Sequence, residues 1–90
     1  MDPAFQAFGA AGIPLVIYNA GGIEAADRLG AMNYVGAADY KAGVAGGEYL
    51  GKAGKKNGVR ANSLPGAANI EDDCNGLVAG ITSTGGKGSV

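Results

Sequence analysis

Glycine occupies 18 of the 90 positions, and this constrains the fold more than any other feature of the sequence. That share is well above the roughly 7% of an average protein, and no Gly-X-Y period runs through it, so a collagen-like helix is excluded. Three of these glycines, Gly43, Gly47 and Gly51, fall four residues apart within one apolar-periodic stretch, and so on one face of a helix. Each costs about 1 kcal/mol relative to alanine inside a helix, so propensity alone does not hold the segment and tertiary packing must. A side-chain-free stripe of this kind lets the helix lie close on a sheet or on a second helix. Hydrophobic residues at 47% and charged residues at 17% are too apolar a mixture for disorder by composition, so a folded origin is implied, with marginal stability expected for the isolated chain.

The alternation of signals along the chain is that of an α/β protein. Asp2-Pro3 opens a short helix, and Gly12 followed by Ile13-Pro14 ends it. Leu15 to Tyr18 is a continuous apolar run with no polar alternation, the pattern of a parallel strand buried on both faces. A helix over Ile23 to Leu29 stops at Gly30, and Ala31 to Gly36 reads as a second strand. Asp39 is positioned to cap a helix running to about Ala53, and the polar Gly54-Lys55-Lys56-Asn57-Gly58 makes a turn. Val59 to Asn62 reads as a third strand, and Asn69 as the cap of a helix whose acidic first turn is Glu71, Asp72 and Asp73. The small, polar, glycine-rich stretch 82–90 is expected to be disordered. The fold expected is therefore a partial three-layer α/β sandwich on one small parallel sheet of three strands.

Charge and residue types exclude several functions. Seven basic against eight acidic residues leave no surplus positive charge for phosphates, so nucleic acid is not an expected partner. Histidine is absent and Cys74 is the one cysteine, which removes histidine-based catalysis, the usual zinc sites and internal disulfides. No run of about 18 apolar residues occurs, and no basic region followed by an apolar run opens the chain, so neither membrane insertion nor a signal peptide is expected. No cofactor is implied by any motif of this kind.

Ala11-Gly12-Ile13-Pro14-Leu15-Val16-Ile17-Tyr18-Asn19, then Tyr34-Val35-Gly36 with Asp39-Tyr40-Lys41-Ala42-Gly43, then Asn75-Gly76-Leu77-Val78-Ala79-Gly80 resemble, in order and spacing, the sugar-type periplasmic binding proteins of ABC transporters. The resemblance covers Asp2 to about Ile81. It implies two α/β lobes with a sugar held in the cleft between them, residues 1–36 ending the first lobe with the crossover strand and 37–81 beginning the second. It further implies non-catalytic binding of a small sugar or polyol, delivery to an ABC permease, and a periplasmic or extracellular location. The incomplete lobes imply a partial site.

Site residues follow from the same resemblance, helped by the tendency of ligands to lie at the carboxyl ends of parallel strands. Asn19 ends the Ile-Pro-entered strand and its amide can both donate to and accept from a hydroxyl, although an asparagine here also suits a turn. Gly21 would let a ligand approach the backbone, or simply form a loop. Asp39 is either a sugar contact or a helix cap. Asn62 and Ser63 end the first strand of the second lobe. Asp73 stands three residues before Gly76, where the family often carries a ligand-binding arginine, and so removes a forked donor and reverses the charge. Tyr18 is expected to point away from Asn19 along the strand, leaving little aromatic surface for a sugar ring.

Two other classes compete. Leu15 to Gly21 is similar to the Asn-Asn-Ala-Gly strand end of short-chain dehydrogenases, which would make the chain part of a nicotinamide-dependent oxidoreductase. The paired Tyr-x-x-x-Lys is not matched, since Tyr49 is followed by Lys52, one residue early. The third class is a degenerate fragment that binds nothing, for which Met1 before a helix start in mid-domain is the expected appearance.

Overall fold

The computed structural model describes residues 2–90, and the chain forms two compact units, Met1–Ala37 and Ala38–Val90. In the first unit α1 (Asp2–Ala10), β1 (Val16–Tyr18), α2 (Gly22–Arg28) and β2 (Asn33–Val35) follow one another, and in the second α3 (Asp39–Lys52), β3 (Asn57–Val59), α4 (Ala68–Ser83) and β4 (Lys87–Ser89). Both units are of the α/β kind.

Each unit carries its own two-stranded parallel sheet, which corrects the expectation of one three-stranded sheet. In the first, Val16 pairs with Asn33 and Tyr18 with Val35. Ile17 points to the covered face, where it packs with Ala26 and Leu29 of the α2 segment and is flanked by Phe5, Leu15, Ala31 and Tyr34. Its neighbours Val16 and Tyr18 are exposed, so β1 is covered on one face rather than two. The apolar run looked doubly buried because it lacks polar residues, yet α2 reaches only the Ile17 face. Asp2 of α1 pairs with Arg28 of α2; both side chains are half exposed, so the pair contributes at most about 1 kcal/mol.

The glycine stops expected at Gly12 and Gly30 are present. Both take positive φ, and the residue after each donates back into the last helical turn, Ile13 N–H to Phe8 O and Ala31 N–H to Ala26 O. Gly54 and Gly85 close α3 and α4 in the same way. The helix starts differ from expectation. Ala38 and Ala67 occupy the cap positions of α3 and α4 without side-chain bonds, so Asp39 and Asn69 lie inside their first turns.

In the second unit the stripe on α3 meets a matching one on α4. A Cβ on Gly43 would lie 2.8 Å from Leu77 N, one on Gly47 2.6 Å from Ile81 N, and one on Gly51 within the Thr84 side chain. Reciprocally, a Cβ on Gly76 would meet the Tyr40 carbonyl and one on Gly80 would come 2.9 Å from Glu48 N. Contacts advance in the same direction along both helices, so α3 and α4 run parallel with their backbones in direct apposition. Four of these glycines, Gly43, Gly47, Gly76 and Gly80, are buried.

The stretch 82–90, expected to be disordered, is structured. Ser83 completes α4, and Lys87–Ser89 pair in parallel with Asn57–Val59. Small residues are what this position requires, because Gly86 and Gly88 lie against Ile81 where a Cβ would come within 2.9 Å of its side chain. Strand three, expected over Val59 to Asn62, starts at Asn57.

Candidate functional site

The carboxyl end of β1 opens on a groove of about 360 Å³ lined by Phe5, Val16, Ile17, Tyr18, Asn19 and Ala20. Asn19 is the one non-glycine residue with positive φ among those described, at 67°. Asparagine tolerates this region better than most side chains, because its short amide bonds locally. Its N–H donates to Val35 O at 2.9 Å and the next N–H, of Ala20, returns to Tyr18 O at 2.8 Å, which folds the chain sharply after the strand. Tyr18 and Asn19 are both among the residues that line this groove. Tyr18 is 77% exposed, and Phe5 is the second aromatic residue of the lining.

Gly21 does not line this groove. It is the N-cap of α2 at φ 93°, and a Cβ there would sit 2.7 Å from that of Ala25 in the same helix, so the left-handed turn into α2 accounts for the glycine. Asp39 belongs to the other unit, at the start of α3.

In the second unit the polar groups gather where β3 ends and α4 begins. Arg60 continues the β3 ladder, its N–H donating to Ser89 O at 2.9 Å, and its guanidinium pairs with the Asp73 carboxylate. Asn62 is fully engaged within the loop. Its amide nitrogen donates to Glu71 Oε1 at 2.9 Å and its oxygen accepts from Leu64 N–H at 3.0 Å. Glu71 Oε1 also accepts from Gly66 N–H at 2.9 Å, so one carboxylate fastens both ends of the 62–66 loop. Ser63 is exposed on that loop. Asn62 therefore bonds Glu71 and Asp73 pairs with Arg60, two partners that the sequence reading did not single out for these residues. Arg60 was hidden by the strand boundary, because a strand ending at Asn62 leaves Arg60 in its middle, whereas one ending at Val59 puts Arg60 at its mouth.

The Gly66 N–H and then the Asn62 amide hold the Glu71 carboxyl below its usual value of 4.5. Both bonds favour the ionised form, so their contribution to the folded loop is complete above the ordinary carboxylate value and is lost as pH falls through the lowered one. In a pH titration followed by NMR, the Glu71 carboxyl is expected to titrate below 4.5, with the Gly66 amide moving at the same midpoint. A Gly66 amide that does not follow Glu71 would break this assignment.

No family model, curated protein or solved structure matches the chain. No helix among the described residues is long and apolar enough to cross a membrane.

Proposed function

We propose that the chain is part of a non-catalytic carbohydrate-binding protein of the sugar-type periplasmic class, which takes up a small sugar or polyol and passes it to an ABC permease outside the cytoplasm. The observation that supports this reading is the groove at the end of β1, whose lining includes Phe5, Tyr18 and Asn19. A sugar presents an apolar C–H face and a rim of hydroxyls, so aromatic surface beside an amide matches both of its chemistries. The position at the carboxyl end of a parallel strand is the one open α/β sheets use for ligands.

The test is a ¹⁵N–¹H correlation spectrum of the chain titrated with pentoses, hexoses and polyols. One sugar is expected to move the Tyr18, Asn19 and Ala20 amides. Tyr18→Ala is then expected to weaken that sugar by about tenfold, roughly 1.4 kcal/mol, the scale of one aromatic contact. Binding unchanged in Tyr18→Ala and in Asn19→Ala would remove the groove from the site.

A further inference from the structure

We propose that Asn57 is a deamidation site, where the Asn57-Gly58 peptide closes to a succinimide and reopens as aspartate or isoaspartate, and that the pairing of β3 with β4 gates the reaction. The inference is independent of the carbohydrate reading above.

The chemistry needs a bare neighbour. In the closing step the Gly58 backbone nitrogen attacks Asn57 Cγ and forms a new N–C bond. The bond from Cγ to the side-chain nitrogen breaks, and ammonia leaves with the proton given up by the Gly58 nitrogen. Water, the sole co-reactant, then adds to one of the two ring carbonyls. Opening at Cγ gives aspartate, and opening at the main-chain carbonyl gives isoaspartate, whose backbone runs through the former side chain. A side chain on the following residue crowds the attacking nitrogen, so glycine is the most permissive successor. Asn57 and Asn75 alone among the asparagines precede glycine.

The structure separates these two dipeptides. Asn75 and Gly76 lie inside α4, with Gly76 buried where a Cβ would meet the Tyr40 carbonyl. Freeing the Gly76 nitrogen means breaking a helix in the middle of its seam with α3. Asn62, which precedes serine, has its amide held by Glu71 and Leu64. Asn57 instead opens β3 and is exposed, and its ladder to β4 is three residues long with Gly58 opposite Gly88 at the centre. No side-chain pair closes the middle of that ladder. Lys87 N–H donates to Lys56 O and Arg60 N–H to Ser89 O, so alternate residues 56, 58 and 60 face β4. The Gly58 nitrogen is therefore masked while the ladder is closed and becomes free when it opens. Short ladders with few side chains across them belong to the low end of a protein's local stabilities.

The two products leave different marks. Asn57 is in register with Lys87, so aspartate sets a carboxylate opposite an ammonium and keeps the ladder. Isoaspartate lengthens the main chain ahead of Gly58, which takes β3 out of register and moves Gly58 off the Ile81 side chain it accommodates.

The experiment incubates the full chain at neutral pH, with and without denaturing urea, and follows peptides containing Asn57 or Asn75 by mass spectrometry, with fragmentation separating isoaspartate from aspartate. In the folded chain Asn57 is expected to deamidate at least about tenfold faster than Asn75. In urea the two rates are expected to converge, because both dipeptides then lack their surroundings. Chains carrying isoaspartate are expected to show displaced Gly58, Val59 and Gly88 amides by NMR, with the amides of Val16 to Tyr18 unmoved. Asn57→Gln, which keeps the amide but cannot close the five-membered ring, is expected to abolish the reaction at that position. Equal rates at Asn57 and Asn75 in the folded chain, or a faster one at Asn75, overturn the gate. An Asn57 that stays intact in the folded chain while the urea-unfolded chain reacts overturns the site itself.

Discussion

Gly47→Ala is expected to destabilise the second unit by about 1–3 kcal/mol, while Gly46→Ala, one residue earlier on the same helix, stabilises it by up to about 1 kcal/mol. Both changes bring the same gain in helix propensity, so the difference isolates packing. A Cβ at Gly46 meets nothing within 4 Å. A Cβ at Gly47 runs into Leu77 O and lies 2.6 Å from Ile81 N. Those are backbone atoms of α4 and cannot rotate aside as a side chain would, so the two helices must separate along their length. Urea unfolding followed by circular dichroism measures both variants against the natural chain. Equal midpoints for the two alanine variants would show that α3 and α4 do not lie in backbone apposition. Gly80→Ala, which probes the same seam from the α4 side against Val44 O and Glu48 N, is expected to follow Gly47→Ala in sign.

That seam marks the limit of what the sequence alone discloses. The spacing of Gly43, Gly47 and Gly51 shows that a helix face has been cleared for something, but a cleared face is equally compatible with a sheet or a helix. The answer lay in Gly76 and Gly80, which have the same spacing on α4 and can be matched to α3 only through a chain that reverses twice between them. Helix ends were readable because they are local: Gly12 before Ile13-Pro14 and Gly30 after Leu29 carry their backbone chemistry with them. The sheets were not, because pairing Asn57 with Lys87 is a contact across 30 residues between segments poor in β-branched side chains. Asn57-Gly58 resembled a turn, and Lys87–Ser89 a solvated tail, for the same reason. In both strands the missing side chains leave room for a neighbour.

The site followed the same division. The turn at Asn19 was legible because strand and turn are consecutive, whereas Gly21 carries the same letter whether it turns the chain into a helix or admits a ligand. Arg60 and Asp73 meet through an ion pair of residues 13 apart, which depends on where β3 ends. A boundary error of three residues put Asn62 at the strand end, where Arg60 stands.

The neighbour those glycines accommodate is Ile81, and Ile81→Ala is expected to be the most damaging single truncation in the second unit, at about 2–5 kcal/mol. Ile81 and Cys74 are the two largest fully buried side chains, and Ile81 is the only branched aliphatic among them. A Cβ at Gly58 would come 2.8 Å from Ile81 Cδ1, one at Gly86 2.9 Å from Cγ1, and one at Gly88 2.9 Å from Cγ2. The β3–β4 sheet is thus shaped around one side chain. Truncation leaves a cavity walled by glycine backbone, which has no side chains to collapse into it, so the cost is set towards the upper part of the range for such changes. A small unit with a total stability of roughly 5 kcal/mol would then populate its unfolded state appreciably at room temperature. Ile81→Val, which removes one methyl group and keeps the branch, is expected to cost about 0.5–1.5 kcal/mol, so a graded series of urea midpoints separates lost volume from any change in backbone preference. Amide exchange at Gly58 and Gly88 reads the same event locally, since both amides belong to the sheet that Ile81 supports. An alanine variant within 0.5 kcal/mol of the natural chain would mean that the sheet does not rest on Ile81.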